Sequence, residues 1–416
     1  MNDSEFQESL RKYAQLVVRK GCNIRPGQEF MISANIDTIE FIRLLTAEAY
    51  AAGAKRVTVR LSDEPLTKLG LDHMAVETFE QFPEWLAVMH NFTARTGGAS
   101  LRVESADPQA MTGVDPRKLV ANQRAAHQAC KEYYDAVDHG RLVWSIVGAA
   151  SPAWASRVYP DLDSDEATRR LWQAIFQTVR VDTADPIAAW DEHRLSFQRR
   201  TEWLNQQHFT SLHLSNSLGT DLTIGLNDQG IWKGGGDSLV DGTYFFPNMP
   251  TEEVFTTPNR SIADGVVYSS MPLVYNGSII RGIKLRFASG KVTECYAEEG
   301  LDIMQSIFSI DDAASSLGEV ALVPWTSPIR QAETLFYSTL FDENASCHLA
   351  VGLGFPDCLI GGTEMSDNEL KAAGVNKSAA HVDFMIGTKD LRIDGIYADG
   401  SQTPIFVDGE WASELA

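Results

Sequence analysis

Apolar residues recur at helical spacing from the start of the chain. Phe6, Leu10, Tyr13 and Val17 share one face of residues 4–20, with Ser4 placed to cap and Gly21 just past the end. After Pro26-Gly27, the run Glu29-Phe30-Met31-Ile32-Ser33 reads as a short buried strand. Residues 37–52 read as a second amphipathic helix closed by Gly53, and residues 56–61 alternate as a strand does. Strand, helix and strand on short connections make the βαβ unit of a parallel sheet. Residues 85–89 and 142–147 read as further buried strands. Residues 115–136, with Asp115 as cap and Pro116 in the first turn, carry helical spacing, as do 163–180 and 187–207.

The texture changes near residue 208. Short alternating strands follow at residues 211–215, 221–225, 265–268, 282–287 and 291–296, separated by turn signals such as Asn276-Gly277 and Ser289-Gly290. A helix at about 298–309 and a short one at 366–373 interrupt them. The pattern predicts an α/β domain with a parallel sheet over residues 1–205. It predicts an α+β domain rich in antiparallel strands over residues 206–416.

Charge narrows the function classes. Lys and Arg number 35 against 56 Asp and Glu, a net charge of −21. A nucleic-acid surface or an anionic-lipid dock needs clustered cations, so neither partner is expected. No apolar run reaches the roughly 18 residues that span a bilayer. The acidic opening lacks the basic and apolar regions of a signal peptide, which points to a cytoplasmic protein. The five cysteines are scattered and form no CxxC pair, so they read as reduced, packed thiols.

Four segments carry candidate chemistry. In the strand-like run Ala380-His381-Val382-Asp383-Phe384, His381 and Asp383 project from one face. An imidazole and a carboxylate so placed can share a divalent cation or simply bond each other in a core. Asp342-Glu343-Asn344-Ala345-Ser346-Cys347-His348 offers two carboxylates and an imidazole, or a polar loop before a strand. Thr251-Glu252-Glu253-Val254 lies in an extended segment bracketed by Pro250 and Pro258, so adjacent carboxylates face opposite ways. Glu319 opens the apolar run Val320-Ala321-Leu322-Val323; it sits at a sheet rim or is held by a cation, because burying it unpaired is costly. Gly234-Gly235-Gly236 lacks the pattern of a phosphate loop, and no GxSxG elbow supports a serine nucleophile.

Taken in order within one domain, these segments resemble the thermophilic-type metalloaminopeptidases, family M29, the aminopeptidase T and aminopeptidase S group. The likeness extends to Lys12-Tyr13-Ala14, Arg180-Val181-Asp182, Trp232 and Gly234-Gly235, and covers essentially the full length. It implies a cocatalytic pair of divalent ions, Zn, Co or Mn, with Glu253, Glu319, Glu343, His348, His381 and Asp383 as ligands. Four carboxylates then offset the charge of two dications, while the empty site gathers like charges that repel. The resemblance also implies peptide substrates with a free N-terminus and a homodimer.

Glu252, beside Glu253, is the candidate general base, although strand alternation turns it from the metals. The family pattern has a tyrosine seven residues after His348; here Phe355 stands there, with no hydroxyl to donate. Two alternatives follow: a mononuclear Fe(II) ring-cleaving dioxygenase built on two His and one Asp, or a metal-binding homologue weakened by Phe355.

Overall fold

The computed structural model describes every residue except Asn276, Glu414 and Ala416. The chain forms two compact units, Met1–Glu192 with Gly236–Pro250, and His193–Gly235 with Thr251–Ala416. The first change from one unit to the other, at residues 192 and 193, lies inside the helix Pro186–Gln207. Helical periodicity runs unbroken across that point, so composition changes only after the helix has ended.

In the first unit, helix Asp3–Leu16 starts at Asn2 rather than Ser4. The Asn2 side chain accepts from the Glu5 amide, and Glu5 accepts from the Asn2 amide. Leu10, Tyr13 and Leu16 are buried, and Tyr13 stacks on Phe41 at 4.9 Å. The sheet is parallel throughout, in the order Asn248–Met249, Val143–Gly148, Ala99–Glu104, Glu29–Asn35, Arg56–Ser62. The strand expected at residues 85–89 is instead the start of helix Glu84–Arg95, with Leu86 and Ala87 buried but Trp85 and Val88 exposed. A short apolar run has no period of its own, and here helical burial decides it. Residues 115–136 form two helices, Pro116–Ala129 and Lys131–Asp138, separated at Cys130.

Among the described residues, the second unit holds two large antiparallel sheets and a two-stranded one. The eight-stranded sheet contains all five of the short strands expected after residue 208. In its hairpin Lys284–Ala288 to Lys291–Tyr296, Ser289 and Gly290 both take positive φ, as a two-residue turn requires. Leu273–Tyr275 pairs with Ser278–Ile280; of the turn expected there, Asn276 lies outside the described residues. Helices Leu301–Phe308 and Asp367–Ala372 match the two expected.

The five-stranded sheet runs His381–Met385, His348–Gly352, Leu317–Leu322, Val254–Thr256, Lys233–Gly234. Its central strand is buried along its whole length. Val320, Leu322, Leu349, Val351, Val382 and Phe384 belong to the unit's main core cluster. Period-two alternation then turns Glu319, His348, His381 and Asp383 to the opposite face.

Candidate metal centre

Register sets the site. Glu319, Ala350 and Asp383 stand opposite one another across three strands, and His381 stands opposite Gly352. Directly opposed residues share a face, so the methyl of Ala350 is all that separates the two carboxylates in that row. Gly352 has φ 104°, and a Cβ there would meet the Ala380 carbonyl at 2.2 Å; the residue before His381 can approach only a glycine. Glu253 lies just outside the strand Val254–Thr256 that pairs with Leu317–Leu322.

Two carboxylate–imidazole groups result. His348 Nε2 lies 3.3 Å from Glu253 Oε2 and 4.0 Å from Glu319 Oε1. His381 Nε2 lies 3.3 Å from Glu319 Oε2 and 3.4 Å from Asp383 Oδ1. Glu319 therefore offers one oxygen to each group, and within each group the potential ligand atoms lie within 4.8 Å of one another. Donors about 2.1 Å from a tetrahedral ion sit roughly 3.4 Å apart, close to three of these separations.

The histidines are oriented for such a role. His348 Nδ1 lies 3.0 Å from the Ser346 carbonyl and His381 Nδ1 lies 2.8 Å from the Leu353 carbonyl. A carbonyl can only accept, so each Nδ1 carries the hydrogen and each Nε2 faces the carboxylates. Asp383 Oδ1 is buried without a hydrogen bond, an arrangement that a cation completes. The donor set fits divalent metal ions.

Electrostatics agree with that fit. Burial and the like charges of Asp383 and Glu253 push Glu319 up to about 7 against the opposing pull of His381 and His348. Burial, with Asp383, Glu253 and Glu319 around it, raises Glu343 well above the usual carboxylate range. Burial acts to lower both histidines, but the facing carboxylates outweigh it and hold His348 at about 10 and His381 at about 11. Without metal the cluster holds protons where a cation would sit.

The family described as thermophilic metalloprotease (M29) matches residues 6–411. This chain belongs to that family. It is 43% identical to aminopeptidase AmpS of Bacillus subtilis (strain 168) over 407 residues, 98% of this chain and 99% of that protein. It is 40% identical to aminopeptidase T of Thermus thermophilus over 406 residues, 98% of this chain and 99% of that protein. The solved structure of wild-type AmpT from Thermus thermophilus matches with a TM-score of 0.90 at 39% identity, covering 98% of this chain and 100% of that one. A 2,5-dihydroxypyridine dioxygenase from Pseudomonas putida KT2440 matches over the full length of both chains at a TM-score of 0.51 and 10% identity, a likeness of fold alone.

Within this M29 chain, five of the six expected ligands fall into the two groups. Glu343 falls in neither, but its half-buried carboxylate interacts electrostatically with the same cluster. Glu252 also lies in neither group: it is buried, and its Oε1 is 3.7 Å from His193 Nε2, which bonds the Thr251 carbonyl at 2.8 Å. The Phe355 ring is 5.1 Å from the His381 ring and 5.6 Å from that of Phe255, so it borders the centre. Sequence reasoning gave no role to Asn344, buried between Glu252 and Glu343, or to the carbonyls that orient the histidines. Backbone acceptors leave no trace in residue type. Among the described residues, no helix is long and apolar enough to cross a membrane.

Proposed function

We propose that this chain is a metal-dependent aminopeptidase that removes N-terminal residues from peptides, using two divalent ions that share Glu319. The observation that carries the proposal is the pair of carboxylate–imidazole groups joined through the two oxygens of that one side chain. When bound, such ions acidify a water and stabilise the charge that develops on a scissile carbonyl. The chain's own residues supply the frame. Glu253 and His348 present donors on one side, His381 and Asp383 on the other, and Glu343 is the sixth proposed ligand. The carboxylate-rich surroundings suit a substrate's free α-ammonium, the group by which an exopeptidase keeps register. For the proton of the attacking water the reading retains Glu252; a Glu252→Gln variant with full turnover removes it from that role.

Membership of M29 and the similarity to aminopeptidases AmpS and T support the same activity. The proposal extends to a homodimer, whose test is mass in solution. Metal-free protein, reloaded in turn with Zn, Co and Mn, is assayed on a panel of aminoacyl chromogenic substrates and their N-acetylated counterparts. Metal-dependent release from the free-amine substrates alone is expected. Equal cleavage of the blocked ones, or none with any metal, contradicts the proposal. A single iron per chain with no hydrolysis supports the dioxygenase alternative.

A further inference from the structure

We infer that Asn344 is a positioning residue that ties the segment bearing Glu253 to the Glu343 carboxylate and so governs one of the two ion positions. The inference rests on the two-metal reading above. Asn344 is fully buried in the short helical turn Glu343–Ala345, ahead of the strand that begins at His348. Its Oδ1 accepts the Glu252 amide hydrogen at 2.7 Å, and its Nδ2 donates to Glu343 Oε1 at 3.3 Å. Its carbonyl accepts from the Ser327 hydroxyl at 3.0 Å, which fixes the turn from behind.

These contacts matter because of what they hold. Residues 251–253 lie outside the sheet, so no ladder of backbone bonds sets Glu253. Glu343 likewise sits on a turn and not on a strand. His381, Asp383 and Glu319 belong to paired strands and need no such clamp. An asparagine meets both demands with one planar amide, an acceptor toward Glu252 and a donor toward Glu343. Aspartate keeps the acceptor and replaces the donor by an oxygen that repels Glu343. Through its bond to the Glu252 amide the clamp bears most on the ion position lined by Glu253, Glu319 and His348, because the strands themselves set Glu319, His381 and Asp383 at the other.

Calorimetric titration of the metal-free full chain with Mn(II) tests this. In Asn344→Asp, one of two binding steps is expected to weaken by about 10- to 100-fold while the other keeps its wild-type affinity. Combined with Glu343→Gln, Asn344→Asp is expected to add little, because it acts through that carboxylate. Two wild-type steps in Asn344→Asp, equal loss of both, or full additivity with Glu343→Gln overturns the inference. Should Asn344→Asp fail to fold, Ser327→Ala loosens the same amide; a smaller loss confined to one step upholds the inference and an unchanged titration overturns it. Failure of the function itself is distinct: wild-type protein that takes two Mn(II) but cleaves no aminoacyl substrate defeats the peptidase reading and leaves the role of Asn344 standing.

Discussion

At the scale of single residues, Glu319 carries the most weight, because each of its oxygens faces a different histidine. Glu319→Gln is expected to weaken both ion positions and to lower kcat/KM by more than about 100-fold, whereas Asp383→Asn is expected to weaken one. Metal counting on the two purified variants distinguishes them; equal stoichiometry in both contradicts the shared role. Phe355 calls for the opposite experiment. Its ring borders His381, and a phenol there gains a hydrogen-bond donor. Phe355→Tyr is expected to raise kcat on aminoacyl substrates by roughly tenfold or more with KM little changed, and an unchanged kcat means the ring is only a wall. Glu319, His381 and Asp383 stand out in the sequence because they interrupt apolar runs that read as buried strands, whereas the full set of six proposed ligands follows only from the family resemblance. Asn344 stands out in neither way, since an amide in a polar loop looks like any turn residue until its partners, 92 residues apart for Glu252, are brought together.

At the scale of elements, one sheet separates core from chemistry. The side chains of Val320, Leu349 and Phe384 point one way, while Glu319, Ala350 and Asp383 stand in one row on the other face. Ala350→Leu fills that row, and overpacking of this kind costs about 1–3 kcal/mol. The expected outcome is a folded chain with reduced metal uptake, read by circular dichroism beside metal analysis; normal uptake contradicts the register argument. Alternation made these strands readable, as it did the hairpin at Ser289-Gly290. The run at residues 85–89 was misread because five apolar-rich residues satisfy either period, and only the exposure of Trp85 and Val88 reveals a helix.

At the scale of the whole molecule, proton and metal compete for one cluster. Glu319, raised to about 7, binds its proton more tightly folded than unfolded, so its contribution to stability falls as pH climbs from about 4 through 7. His348 at about 10 and His381 at about 11 also lie above their unfolded value, and their contribution is lost as pH rises through those values. Burial acts to raise Asp383, but the facing His381 and His348 outweigh it and lower it, so its effect belongs to the acid side. Metal-free protein is therefore expected to lose thermal stability steadily between about pH 6 and 9. Metal binding is expected to release protons and restore the loss. Melting curves with and without metal across that range check this; a metal-free Tm that rises with pH contradicts it.

The central claim, that one glutamate joins two ions, is met most directly by titrating the metal-free chain with Mn(II) under electron paramagnetic resonance. A second equivalent is predicted to convert the isolated-ion signal into that of an exchange-coupled pair, and Glu319→Gln to abolish the coupling. Saturation at one equivalent, or two ions that never couple, would contradict the account.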